Sequence, residues 1–263
     1  MHRRFLVLLT ASFPAAANGQ QSCIHPASAP SLDRVVLVVP ELRQASATLA
    51  PYGFRFTTGY LHPDGLRSDH IRFKDGTELE LMTVGGLLGD ASAQAYSRLL
   101  SEGEGGAYAA LTTIDLNSIT AAAAHQKIDY RRSAEGDRRF LNFPPPSGAG
   151  GVFFASRSSE LSDSDSVAIQ PNGAVSLMQA WVEGGTDLEA LLAEAGAARC
   201  GQLASPDGRI GQVWGLSRGS IVVVRPGPAI RLPRPIGAVL VTAPGITPPG
   251  EINLPGFWIR FSR

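Results

Sequence analysis

Residues 32–82 constrain the fold more tightly than any other stretch of this chain. The run Leu32-Asp33-Arg34-Val35-Val36-Leu37-Val38-Val39-Pro40 is apolar and β-branched. A short amphipathic stretch follows it, and then Gly53-Phe54-Arg55-Phe56. Beyond a polar loop come Ile71-Arg72-Phe73-Lys74-Asp75-Gly76-Thr77 and Glu78-Leu79-Glu80-Leu81-Met82. The pattern reads strand, helix, strand, strand, strand. Such a unit exposes one apolar sheet face and is too short to bury a core alone, so it must pair with a second.

Three more copies follow, each more worn. A second unit opens at Tyr108-Ala109-Ala110-Leu111, with a helix expected near 118–126 and strands at 128–131, 138–143 and 152–156. A third opens at Pro171-Asn172-Gly173-Ala174 and runs through Gln179-Ala180-Trp181-Val182, a helix over 187–195, and strands near 211–216 and 221–225. A fourth is reduced to strands at 236–242 and 257–261. The link between them, 244–256, is rich in proline and glycine and leaves no room for a helix. The predicted fold class is α+β: tandem βαβββ modules forming curved half-barrel sheets, helices outside and a concave ligand site inside. Modules 1 and 2 would form a first half over 32–165, and module 3 with a truncated module 4 a second half over 166–263.

The N-terminus has the order of an export signal: Arg3-Arg4, the apolar run Phe5 to Leu9, then small residues up to Ala17. That run is too short to span a bilayer. The expected organisation is a signal peptide at 1–19 and a flexible tail at 20–31, which places the mature protein outside the cell or in a bacterial periplasm. The alternative is a cytoplasmic protein with a misassigned start codon. Two cysteines, Cys23 and Cys200, cannot build a metal framework. In an oxidising compartment they could pair and tie the tail to the body; two unpaired thiols are the other reading. Basic and acidic residues are equal at 23 each, so no basic face for nucleic acid is implied.

The residues of the first unit also resemble the opening module of the glyoxalase-like branch of the vicinal-oxygen-chelate superfamily. The LDRVVL first strand, the Gly53-Phe54 turn and the IRF-x-DGT-x-LEL ending carry the likeness, and Gln170 to Ala174 resembles that family's HPNGA opening. In metal-dependent members the ligands come from the first and fourth strands of paired units. The resemblance maps those positions to Arg34 and Glu80, to Tyr108 and either Phe153 or Phe154, and to Gln179 and approximately Val223. Arg34 stands where the family's first metal ligand, a histidine, is usual. Of the mapped residues only Glu80 is a competent metal donor, and a divalent metal needs three or four. No metal and no cofactor are therefore expected.

Arg34 and Glu80 should face the same concavity and pair, because either one buried alone carries a heavy desolvation cost. Arg34 could then offer its remaining N–H groups to a small ligand, with Tyr108, Phe153 or Phe154, and Gln179 around it. His62 lies in a polar loop at the mouth, and His70, alternating with Ile71 and Phe73, could point inward as an acid or base. The GxSxG pattern at 215–219 lacks the helix that a nucleophile elbow requires, since a β-branched run follows it.

Three functions remain open from the sequence. The first is an exported, metal-free protein binding a small anionic or carbonyl-bearing, partly lipophilic molecule. The second is a metal-independent lyase, isomerase or hydrolase with Glu80 or His70 as base and Arg34 as electrostatic stabiliser. The third is an interaction module with a filled cavity. The expected partner is a small molecule, with no nucleic acid and no membrane span; a homodimer is an open alternative to a monomer.

Overall fold

A computed structural model describes residues 23–62, 65–85, 91–156, 170–227 and 232–263. The expected signal peptide, and Pro63 and Asp64 of the polar loop, lie outside the described residues. The first unit comprises β1 (Ser31–Val38), α1 (Leu42–Leu49), β2 (Thr57–Leu61), β3 (Leu66–Arg72) and β4 (Glu78–Val84). After α2 (Ala91–Ser101) come β5 (Gly105–Thr113), α3 (Leu116–His125), β6 (Arg131–Glu135), β7 (Arg138–Asn142) and β8 (Val152–Ser156). The third unit is β9 (Ala174–Glu183), α4 (Thr186–Glu194), β10 (Ala198–Ala204), β11 (Ile210–Gly215) and β12 (Ser220–Val224). The fourth has no helix and consists of β13 (Pro235–Thr242), β14 (Ile252–Leu254) and β15 (Phe257–Ser262).

Each unit repeats one pairing rule: its first and last strands lie side by side and parallel, as β1 with β4, β5 with β8, β9 with β12 and β13 with β15. First strands of successive units then join antiparallel, β1 to β5 and β9 to β13. The outcome is an eight-stranded sheet in the order β2-β3-β4-β1-β5-β8-β7-β6 and a seven-stranded sheet in the order β10-β11-β12-β9-β13-β15-β14. This is the α+β arrangement of tandem modules expected from the repeats. The first sheet curls far enough for its edges to meet: His62, just beyond β2, has Nδ1 3.5 Å from Glu135 Oε1 at the end of β6.

Strand side chains alternate between faces, and the two faces of each sheet do different jobs. Val35, Leu37, Leu79 and Leu81 of the first sheet join Leu177, Ala180, Ile221 and Leu240 of the second, with α1, α3 and α4, in one shared core. The close approach of the sheets depends on Gly106, where a Cβ would lie 2.0 Å from the Pro235 carbonyl oxygen. Any side chain there would force the halves apart.

Four elements depart from the sequence reading. The strand expected at 128–131 starts at Arg131, because Ile128 is used as a buried plug at the end of α3 and donates its amide to Ala123. The two-residue Gly136-Asp137 turn, with Gly136 at φ 58°, then sets the β6–β7 register. β10 and β14 are edge strands that the alternation did not reveal. α2 belongs to no repeat and lies on the inner face of the first sheet rather than outside it.

Candidate functional site

The inner face of the first sheet is divided in two. At one end Val36, Val38, Leu66 and Met82 are covered by Ala93, Leu99 and Leu100 of α2. At the other end the same strand faces carry Arg34 from β1, Ser68 and His70 from β3, and Glu78 and Glu80 from β4. The register places them in two rows: Arg72, Glu78, Arg34, Ala110 and Phe153 across one, and His70, Glu80, Val36 and Tyr108 across the next. Period-two alternation along ELEL therefore delivers both glutamates to one face and both leucines to the core.

Arg34 is the hub. Its Nη1 lies 2.9 Å from Glu78 Oε1 and 3.1 Å from Glu80 Oε2, and its Nε lies 3.0 Å from Asp33 Oδ2. His70 sits behind the glutamates, with Nδ1 3.2 Å from Glu78 Oε2 and Nε2 4.0 Å from Glu80 Oε1. Ser68 Oγ is 3.1 Å from Nε2, so both ring nitrogens have a polar neighbour. Side-chain exposure is 17% for Arg34, 11% for Glu78, 7% for His70 and 6% for Glu80, so these four are nearly dry and Arg34 is the most accessible of them.

Burial and charge pull in opposite directions here. Burial alone would push the Glu78 carboxyl up, but Arg34, His70 and Arg72 outweigh it and hold it at about 2. Burial also disfavours charged His70; Glu78 and Glu80 outweigh both that and the repulsion from Arg34, so its pKa is raised. Burial works against Arg34 as well, yet Glu78, Glu80 and Asp33 keep its guanidinium firmly protonated. The aromatic side of the face is apolar: Tyr108 packs edge-on against Tyr96 of α2 and Phe153, and Phe153 against Phe140. Burial pushes the Tyr108 hydroxyl up to about 12.

The mapped strand positions left Glu80 as sole metal donor, but β3 and the start of β4 add two more. His70, Glu78 and Glu80 have ligand atoms all within 4.8 Å of one another. A hard divalent ion would need these oxygens at about 2.0–2.6 Å. Arg34 Nη1 already contacts both carboxylates, and its fixed charge opposes a second cation on the same oxygens. With Arg34 in place these residues do not fit a metal.

The structure thus brings together Arg34, Glu80, His70, Tyr108 and Phe153 on one face. Phe154 points the opposite way into the shared core against Phe143. Gln179 lies on the second sheet, where it accepts a hydrogen bond from Trp181 Nε1 and donates one to Ser220. Val223 likewise belongs to the shared core. His62 stands at the rim joining the sheet edges. Asp69 faces away from His70 and accepts from Ser46 of α1. Gln170 ties the halves, accepting from the Arg55 amide and donating to the Arg72 carbonyl. Ser217 lies in the β11–β12 turn and is bonded to Ser31 and Pro30. Sequence reasoning missed Glu78, Asp33 and Ser68; Glu78 was signalled by its two-residue spacing from Glu80.

No family model matches the sequence, and no curated protein matches it in sequence. Solved structures do match the fold. A hypothetical protein from Staphylococcus aureus aligns over 89% of this chain and 98% of its own, with a TM-score of 0.64 at 12% identity. Methylmalonyl-CoA epimerases align with half of the chain. The Streptomyces coelicolor enzyme does so at 20% identity over 50% of this chain and 99% of its own, with a TM-score of 0.39. The Mycobacterium tuberculosis enzyme does so at 18% identity over 50% and 90%, with a TM-score of 0.40. The nearly full-length likeness concerns fold alone, since fold does not determine activity. Topology and pairing rule together define an α+β fold of tandem βαβββ modules.

Proposed function

We propose that this chain is an exported member of the glyoxalase-like group that binds a small, carbonyl-bearing, partly lipophilic molecule without a metal, on the inner face of its first half. The observation that carries this reading is Arg34 itself. It is a partly accessible guanidinium locked by Glu78 and Glu80 in the place of a cation, with Tyr108 and Phe153 alongside. A locked guanidinium can donate to a carbonyl oxygen without reorganising, which favours binding. Asp33, Glu78 and Glu80 leave no surplus positive charge, which favours a neutral carbonyl over a carboxylate ligand. Export is supported by the Cys23–Cys200 disulfide, a bond that persists in oxidising compartments. No helix among the described residues is long and apolar enough to cross a membrane.

The test is calorimetric titration of the mature protein with aromatic ketones, aromatic aldehydes and their carboxylate analogues. Saturable binding of carbonyl compounds, weakened by Arg34→Lys, is expected. Absence of binding across the series would sink the reading.

A second reading is favoured by the contacts of His70. With Ser68 and Glu78 at its ring nitrogens, His70 stands 4.0 Å from Glu80 Oε1, and that oxygen can take a proton from carbon next to an Arg34-bound carbonyl. Hydrogen–deuterium exchange at that carbon in heavy water, abolished by Glu80→Gln, is its signature.

A further inference from the structure

Where the second half meets the end of α2 lies a cleft of about 700 Å³ that the Arg34 site does not use. It lies between the turn after α2, which supplies Glu102 and Glu104, the β10–β11 turn, which supplies Asp207 and Arg209, and the inner face of the second sheet, which supplies Arg234 and Trp258. The edges of the seven-stranded sheet thus face one another across it, as the edges of the first sheet do.

The charges in this cleft are not balanced pairwise. Arg209 is committed, with Nη1 on Glu183 and Nε 2.7 Å from Asp207. Arg234 is not. It is 7% exposed, and it donates only to backbone carbonyls: Nε to Gly106 at 2.9 Å, and Nη2 to Gly103 at 2.9 Å and Leu99 at 3.3 Å. Those contacts cap the C-terminal end of α2 and fix the guanidinium plane. Among the described residues no carboxylate lies within ion-pair distance of Arg234, and its hydrogen bonds run through Nε and Nη2, not Nη1. Glu102 and Glu183 act on this guanidinium only from beyond ion-pair distance, and its direct partners are all neutral carbonyls, so Nη1 is open to a carboxylate. Glu102 and Glu104 on the same cleft likewise have no cation within ion-pair distance among the described residues.

We propose that this cleft binds a small zwitterion of amino-acid type, its carboxylate on Arg234 Nη1, its ammonium against Glu102 and Glu104, and its apolar side chain on the Trp258 indole. A simple anion would meet the acids, and a simple amine would meet Arg234. Only a molecule carrying both charges satisfies the set. The site is independent of the Arg34 cluster, so each can fail without the other.

The experiment titrates the mature protein with L-leucine, with 4-methylpentanoate, which lacks the amine, and with isopentylamine, which lacks the carboxylate. Leucine should bind and raise the melting temperature, and each half-analogue should bind at least about tenfold more weakly, equivalent to about 1.4 kcal/mol. Because Arg234 also caps α2, the diagnostic variant is the double substitution Glu102→Gln, Glu104→Gln, which leaves that cap intact. It should weaken leucine about tenfold or more and strengthen 4-methylpentanoate, whose carboxylate no longer meets the two acids. No leucine binding at millimolar concentration, equal binding of leucine and 4-methylpentanoate, or wild-type leucine affinity in the double variant would each overturn the assignment.

Discussion

Arg34 Nη1 bridges Glu78 Oε1 at 2.9 Å and Glu80 Oε2 at 3.1 Å, so one guanidinium nitrogen contacts two carboxylates from the same face of one strand. Neither carboxylate is well solvated, and removing the arginine would take the closest partner from Glu80 and leave Glu78 with His70 and Arg72 alone. Breaking a buried pair from one side costs about 3–5 kcal/mol, against about 0–1 for a surface pair. Arg34→Leu should therefore lower unfolding free energy in urea by the larger amount, and adding Glu78→Gln and Glu80→Gln should restore part of it. A loss within the surface-pair range would show that the cluster is more hydrated than its geometry indicates.

The same cluster sets the pH dependence of stability. The folded Glu78 carboxyl is depressed from 4.5 to about 2, so its contribution is complete above 4.5 and is lost as pH falls toward 2. His70 has the opposite sign. Its folded pKa is raised, so its contribution is complete below 6.5 and is lost as pH rises through the folded value. Glu78→Gln should flatten the acid limb and weaken the fall above pH 6.5. An acid limb of unchanged steepness in that variant would remove Glu78 from the account.

Cys23 and Cys200 close a loop of 177 residues in sequence, with Cα atoms 5.4 Å apart. Chain-entropy arguments give loops of this size about 5 kcal/mol at most, and measured values are commonly about 2–4. Cys200→Ser and reduction by dithiothreitol should lower the melting temperature equally and non-additively. Unequal effects would mean that the tail is held chiefly by its other contacts, such as His25 on the Leu216 carbonyl.

Much of this was legible in the sequence, and particular residues show where legibility stopped. The first strands of the four units follow from repeated apolar runs at Val35, Ala109, Ala180 and Val239, whereas their parallel pairing with the last strands is read only from the structure. The Arg34–Glu80 pair follows from alternation and from the cost of burying either alone. Glu78 was hidden because one donor per strand was assumed, whereas a two-residue period delivers two. Phe153 and Phe154 could not be told apart without a register; pairing with Ala110 puts Phe153 on the inner face. α2 was passed over because its spacing of Ala93, Tyr96, Leu99 and Leu100 lies between repeats, where no repeat could point to it.

α2 itself is open to test. Leu99 is buried against the inner face, and its carbonyl accepts from Arg234. Leu99→Ala should cost about 2–5 kcal/mol and speed amide exchange across α2 before the rest of the sheet responds. Uniform exchange would indicate that α2 and the strands open as one unit.

The central claim is that Arg34 takes the place a metal ion would need among His70, Glu78 and Glu80. Elemental analysis of protein purified without chelator tests it most directly. The account predicts substoichiometric transition metal and a melting temperature unchanged by EDTA. About one equivalent of bound zinc, manganese or iron, lost together with stability on chelation, would contradict it.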